Sequence, residues 1–380
     1  MPTTEQKQRG YSGVRNATIG TLLPAPEDLA AREPDVEVMR TSHGVSFVRT
    51  PDARFYSLPG YSFAPNYVEI DGLRMHYVDE GTRSGETILL LHGQPAWSYL
   101  YRRMIDPLVA AGYRVIVPDH IGFGRSDKPI DPRFHHFERQ VALIKAFIQK
   151  LGLDAITLFA QDWGSVFALR IVGDRPDLFA RVAISNGGLP VFTPPVFYIP
   201  EPVELDPEAP NMLQALGPTL GEPFPVAFQA WINFTLTSPG FNPGQMIAFM
   251  CAQGGRPLAP EEISAYNAPF PSILFRAGPR AFPSMVNQCG PRNAVAWGGL
   301  ARFTRPFLHV RGTLDMQFGT QEMQDDMVQA IPGARGQPHT ALEAGHYIQD
   351  NKGEILAEHL IDFIKRNPTD LGPAPRVPTR

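Results

Sequence analysis

Three residues stand out by type and by order along the chain: Asp162 in "LFAQDWGSVFALR", Asp315 just after "PFLHVRG", and His346 in "LEAGHYIQD". A nucleophile elbow sets its nucleophile on a strained turn between a strand and a helix, giving x-x-Nu-x-G after an apolar run. Ala160-Gln161-Asp162-Trp163-Gly164 follows "AITLF" directly and fits that form. An aspartate after a strand also has a plainer use, capping the helix by accepting from its orphan amides. The pentad alone leaves both uses open. The chain order nucleophile, acid, histidine belongs to the elbow class, with the acid after a late strand and the histidine in a loop before the last helix. His346 has that loop position. His339 lies seven residues upstream, and His135 and His136 read as a polar pair on a surface loop.

An aspartate at the elbow changes the chemistry. A serine needs a base before it can attack, whereas a carboxylate is ionised at neutral pH without help. Acylating it would give an unstable anhydride, so its natural electrophile is an sp³ carbon bearing a leaving group. Displacement yields an alkyl-enzyme ester, which water activated by a His–Asp pair then hydrolyses. Haloalkanes and epoxides are the two substrate classes this implies. They differ in how the leaving group is stabilised: a halide needs N–H donors, and an epoxide oxygen needs an acid such as a tyrosine hydroxyl.

Trp163, beside the nucleophile, supplies one indole N–H, a donor with no acceptor of its own. A second donor must come from elsewhere, and the middle of the chain offers Trp231 in "FQAWINFTLTSP" and Trp297 in "AVAWGGLARF". Composition does not choose between them. An epoxide hydrolase would instead need paired tyrosines, for which Tyr198 and Tyr266 are available. The loop in "LLLHGQPAWSYLY" suits an oxyanion hole, with His92 and Gly93 making the turn and Gln94 placed to point its N–H and side chain inward. His92 is expected to brace that loop and take no part in chemistry.

These residues need a frame. "YVEIDGLRMHYVDEG" is two alternating runs around an Asp-Gly turn, a strong hairpin signal. After it, short continuous apolar runs such as "TILLLHG", "RVIVPD", "AITLFAQ" and "RVAISN" alternate with helical segments, which predicts an α/β fold with a mostly parallel sheet covered on both faces. From 187 to 302 the alternation stops and Pro, Phe and Met increase; this stretch reads as an inserted helical cap over the strand ends, where open sheets bind ligands. The core then comprises 46–186 and 303–368. Residues 1–45 read as an N-terminal extension, disordered or wrapping the domain, and 369–380 as a tail.

The 380 residues carry a net charge of −4, and 43% are hydrophobic, a globular composition without the basic runs that track nucleic acid. No secretory signal and no apolar run long enough to span a bilayer is visible, so the expectation is a cytoplasmic protein without a membrane partner. Cys251 and Cys289 have no metal-ligand spacing and are expected as reduced thiols. Carboxylates, imidazole, indoles and water suffice for each step, so neither a metal nor an organic cofactor is expected. A serine esterase is disfavoured because "GYSGV" and "GYSFA" precede the first core strand. A non-catalytic relative would be expected to have lost one of the three key residues.

Together the strings "PNYVEIDGLRMHYVDEG", "LLLHGQPAWSYLYRRMI", "VIVPDHIGFGRSDKP", "LFAQDWGS", "ISAYNAPFP", "AGPRAFPSMV" and "AGHYIQ" resemble the haloalkane dehalogenases, in the subfamily whose catalytic acid follows the late strand. The resemblance covers roughly 300 residues. It implies an α/β-hydrolase fold, with Asp162 as nucleophile, His346 as base and Asp315 as the acid orienting it. It also implies Trp163 as one halide-binding indole and, from "FQAWINF", Trp231 as the other, with Phe228 in the substrate pocket. The partners so implied are a halogenated alkane, water and a halide ion, on a monomer or small homo-oligomer. Two features depart from the pattern: Gln94 stands where the family commonly has Glu or Asn, and 196–224 is longer than usual.

Overall fold

Asp71 and Gly72 have φ of 52° and 77°, the paired positive angles of a tight hairpin turn. They join β3 (Asn66–Ile70) to β4 (Leu73–Glu80), which run antiparallel as the sequence predicts. The computed structural model describes residues 30–31, 33–199, 205–206, 208–219 and 221–369. Earlier in the chain, β1 (Met39–Arg40) pairs with β2 (Ser46–Val48), and β2 pairs with β7 (Lys128–Pro129), forming a small separate sheet. The expected boundary of the N-terminal extension at residue 45 therefore falls inside this small sheet. Residues 1–29 of that extension, and 370–380 of the expected tail, lie outside the described residues.

The main sheet has eight strands in the order β11-β10-β9-β8-β5-β6-β4-β3. β5 (Thr87–Leu91), β6 (Arg114–Pro118), β8 (Ile156–Gln161), β9 (Phe179–Ser185), β10 (Phe307–Gly312) and β11 (Thr340–Leu342) are mutually parallel, and β4 adds to β6 antiparallel. Every residue of β8 and β9 is buried, which is why these strands read as continuous apolar runs. The helices α1 (Arg102–Ala110), α2 (Phe137–Lys150) and α3 (Trp163–Asp174) follow β5, β6 and β8.

Between β9 and β10 the described residues form helices and no strand: α4 (Met212–Leu216), α5 (Phe224–Thr237), α6 (Pro243–Gln253), α7 (Pro260–Asn267), α8 (Ala277–Ala281) and α9 (Pro291–Leu300). α9 packs directly on α3. A Cβ at Gly299 would fall 2.0 Å from the Gly173 carbonyl oxygen, so glycine is what lets the two backbones touch. Part of the stretch 187–302 thus packs directly on a helix that follows the sheet. After β10 come α10 (Gln321–Ala330) and the final helix, α11 (Ile348–Arg366).

A buried ionic cluster ties α7 to this core. Arg102, at the start of α1, donates to Glu262 on α7 at 2.7 Å and to Asp350 on α11 at 2.6 Å. The Tyr266 hydroxyl on α7 donates to the other oxygen of Asp350. All four side chains are buried. Among the described residues no helix is long and apolar enough to cross a membrane.

Candidate active site

Asp162 joins β8 to α3 with φ 53° and ψ −132°, a backbone conformation that costs a non-glycine residue on the order of 1–3 kcal/mol and persists only where surrounding structure enforces it. Its carboxylate makes no bond to the first-turn amides of α3, so it is not acting as the helix cap. Instead Oδ1 accepts the backbone N–H of Gln94 at 2.7 Å. Space is made by glycines: a Cβ at Gly93 would lie 2.1 Å from that same Oδ1, and one at Gly164 would lie 2.2 Å from the Leu91 carbonyl oxygen. The elbow signature thus reflects steric need on both sides of the turn.

Asp315 follows β10 and His346 precedes α11, so both arrive at the same edge of the parallel strands as Asp162. His346 Nδ1 lies 2.7 Å from Asp315 Oδ2, and its Nε2 lies 3.5 Å from Asp162 Oδ2. Asp315 Oδ1 accepts from the backbone N–H groups of Gln317 and Phe318, each at 3.1 Å. Burial by itself would raise Asp315, but His346 and those amides outweigh it and hold its carboxyl below the usual range. Burial would likewise lower His346, yet the Asp315 and Asp162 carboxylates prevail and push it up to about 10.

Three residues that motif reasoning passed over complete this arrangement. Asn186, directly after β9, donates to Asp315 Oδ2 at 2.9 Å and accepts from the Gly312 N–H at 2.8 Å. Gln161 donates to the His346 carbonyl oxygen and lies 3.1 Å from His346 Nε2. Tyr347 donates to the Gln94 carbonyl oxygen at 3.0 Å, fixing the peptide next to the Gln94 N–H. Each stands at the end of a quoted strand or beside a quoted histidine, and only the fold reveals what it touches.

A cavity of about 130 Å³ brings Asp162, His346, Asp315, Trp163, Trp231, Gln94 and Phe228 together. Among the described residues neither Trp163 nor Trp231 has a hydrogen-bond partner for its indole N–H, whereas the Trp297 indole donates to the Leu189 carbonyl oxygen at 2.8 Å. Trp231 is held by Phe234 and Phe241, with ring centroids at 6.2 and 5.7 Å. Gln94 lines this cavity, and its Nε2 donates to the Pro279 carbonyl oxygen at 2.7 Å. Tyr266 is absorbed by Asp350, Tyr198 is exposed, and neither lines this cavity. His92 braces its loop through Gly93 and His120. His135, expected on a surface loop, is fully buried, with Nε2 against the Pro129 carbonyl oxygen at 3.0 Å. Cys251 and Cys289 are free thiols.

A parallel sheet with a nucleophile elbow, an acid after a late strand and a histidine before the last helix defines an α/β hydrolase, and a family model described as "alpha/beta hydrolase fold" matches residues 86–238. The haloalkane dehalogenase of Mycobacterium marinum is 41% identical over 326 residues, covering 83% of this chain and 99% of that protein. That of Psychrobacter cryohalolentis is 38% identical over 337 residues, covering 85% and 100%. Among solved structures, tetrameric haloalkane dehalogenase DpaA of Paraglaciecola agarilytica matches with a TM-score of 0.67 at 30% identity, over 82% of this chain and 96% of that one. The chain belongs to the haloalkane dehalogenase family, hydrolases acting on carbon–halide bonds.

Proposed function

We propose that this chain hydrolyses haloalkanes to a primary alcohol and a halide ion through a covalent ester on Asp162. A carboxylate oxygen of Asp162 attacks the carbon bearing the halogen, and the carbon–halogen bond breaks with its electron pair leaving on the halide. Water then attacks the carbonyl carbon of the ester while His346 Nε2 takes its proton. Asp315, held by Asn186 and two backbone amides, supports the imidazolium that forms. The oxyanion of the tetrahedral intermediate lies against the Gln94 N–H. As the intermediate collapses, the bond to the alkyl oxygen breaks, that oxygen takes the proton back from His346 and leaves as the alcohol, and the second proton of the water is lost to solvent as the carboxylate re-forms. The inserted helices from 187 onward serve as the cap, and α5 brings Phe228 and Trp231 to the pocket.

The observation that carries this reading is the pair of unpartnered indoles, Trp163 and Trp231, in one cavity with Asp162. Two N–H donors in an apolar setting suit a departing halide, which gains little from an acid at neutral pH. The epoxide alternative has less support, because no tyrosine offers a free hydroxyl to the pocket: Tyr266 donates to Asp350, Tyr198 is exposed, and Tyr347, which does line the cavity, donates to the Gln94 carbonyl oxygen. The test is bromide release from 1,2-dibromoethane set against diol formation from styrene oxide. Bromide with little diol is expected; diol without bromide would reverse the assignment.

A further inference from the structure

Asp162 and Trp163 line a second cavity as well, and the two are chemically unlike. The first, of about 130 Å³, alone contains Gln94, Trp231 and His346. The second, of about 670 Å³, is walled by Leu189, Phe192, Val286, Trp297, Met323 and Met327. Phe228 and Phe318, with ring centroids 6.4 Å apart, border both. On the dehalogenation reading above, the departing halide must lie in the smaller cavity, since Trp231 lines only that one. The hydrolytic water must lie there too, beside His346. An alkyl tail in the same small space would displace that water.

We propose that the larger cavity receives the tail of the substrate, and that the chain therefore acts preferentially on haloalkanes with long apolar chains. The reacting carbon then sits where the cavities meet, at Asp162, with the halide to one side and the tail to the other. Thioether and aromatic walls adapt to an unbranched chain without demanding a polar group on it. Glu222 and Asp326 also line this cavity, so a carboxylate-terminated tail is disfavoured by like charge.

The preference is read from bromide release by the full-length protein with bromoethane, bromobutane, bromohexane and bromooctane. Each further buried methylene is expected to raise kcat/KM by about fourfold. Two variants fill the chamber from different elements, Gly188→Phe and Met323→Trp. A Cβ at residue 188 would meet only the Met323 terminal methyl, at 3.8 Å, so the new ring enters the cavity without a backbone clash. In both variants the ratio of kcat/KM for bromooctane to that for bromoethane is expected to fall about tenfold or more. Because the ratio is taken within one preparation, loss of folded protein cancels. A wild-type series that is flat or falls with length, or a ratio unmoved in both variants, overturns the tail chamber and leaves dehalogenation standing. Absence of bromide from every substrate overturns the dehalogenation reading and the chamber with it.

Discussion

Asn186 Nδ2 lies 2.9 Å from Asp315 Oδ2, the same oxygen that His346 Nδ1 meets at 2.7 Å. That oxygen thereby has a second partner, and the orientation of Asp315 does not depend on His346 alone. Asn186 has φ 40°, which glycine tolerates, so Asn186→Gly removes the amide without forcing the backbone. It also removes the bonds to the Gly345 carbonyl oxygen and from the Gly312 N–H. The expected cost is about 1–3 kcal/mol of stability and about a tenfold slower ester hydrolysis, equivalent to ~1.4 kcal/mol. Rapid mixing with a bromoalkane should reveal a bromide burst followed by a slow steady state. An unchanged steady-state rate would mean that Asp315 holds its place without Asn186.

Replacing the base separates the two half-reactions. On the proposed mechanism, attack by Asp162 needs no proton transfer, whereas hydrolysis of the ester would require His346 Nε2 to take a proton from water. In His346→Gln the alkyl ester should accumulate, and intact-protein mass spectrometry should find one added alkyl group after exposure to a bromoalkane. Peptide mapping should place it on Asp162. An unmodified mass would count against covalent catalysis.

His346 is pushed up to about 10, although burial alone would lower it, because the Asp315 and Asp162 carboxylates dominate. A histidine raised above its unfolded value near 6.5 contributes stability that is fully present below that pH. That contribution is lost as pH climbs toward about 10. Asp162→Asn removes one of the two charges, so the His346 pKa should fall and the contribution should vanish at lower pH. On the proposed mechanism, forming the ester would neutralise Asp162 in the same way, so the first chemical step would prepare His346 as the base for the second. NMR titration of the imidazole in wild type and variant checks the direction. An unchanged or higher pKa in Asp162→Asn would refute this coupling.

The hairpin, the alternating strands and helices and the order Asp162, Asp315, His346 were legible because each depends on local pattern: turn chemistry at Asp71-Gly72, continuous apolar strands, and small residues around an elbow. What the chain does not print locally is contact across the fold. Gln161 reads as the last residue of a strand until β11 and its following loop bring His346 against it. Gln94 lines the pocket, but nothing in its own loop announces that α8 presents the Pro279 carbonyl to its amide. The choice between Trp231 and Trp297 is of the same kind: both lie in apolar helical runs, and across the fold the two indoles line different cavities and only that of Trp297 donates to the Leu189 carbonyl.

That choice has a direct optical test. Bromide bound beside an indole quenches its fluorescence, and the unpartnered N–H groups line the cavity with Asp162. Trp231→Phe should weaken bromide binding by about tenfold, the equivalent of ~1.4 kcal/mol for one lost donor to an anion. Trp297→Phe should leave the bromide affinity close to wild type, because that indole already donates to Leu189. Reversed results would move the halide into the larger cavity and undo the division of labour between the two chambers.

The remaining prediction concerns the attachment of α7 to the core. Arg102 contacts Glu262 at 2.7 Å and Asp350 at 2.6 Å, with side chains 3%, 10% and 0% exposed. Arg102 is the cation nearest Asp350 and one of three on Glu262, which also meets Arg103 at 3.0 Å and Arg256 at 3.1 Å, so its removal leaves the cluster partly paired and costs at most the roughly 3–5 kcal/mol of a broken buried pair. Arg102→Met keeps most of the aliphatic volume and removes the charge, so a loss of that size reports electrostatics and not packing. Asp350 then loses its strongest cation while still accepting from Tyr266. Asp350 stands in the first turn of α11, the helix that His346 precedes, so loosening there should reach the imidazole as well as α7. Chemical denaturation should find the midpoint lowered, and kcat should fall along with a rise in KM. A stable variant with unchanged kinetics would show that the remaining contacts hold α7 on the core without Arg102.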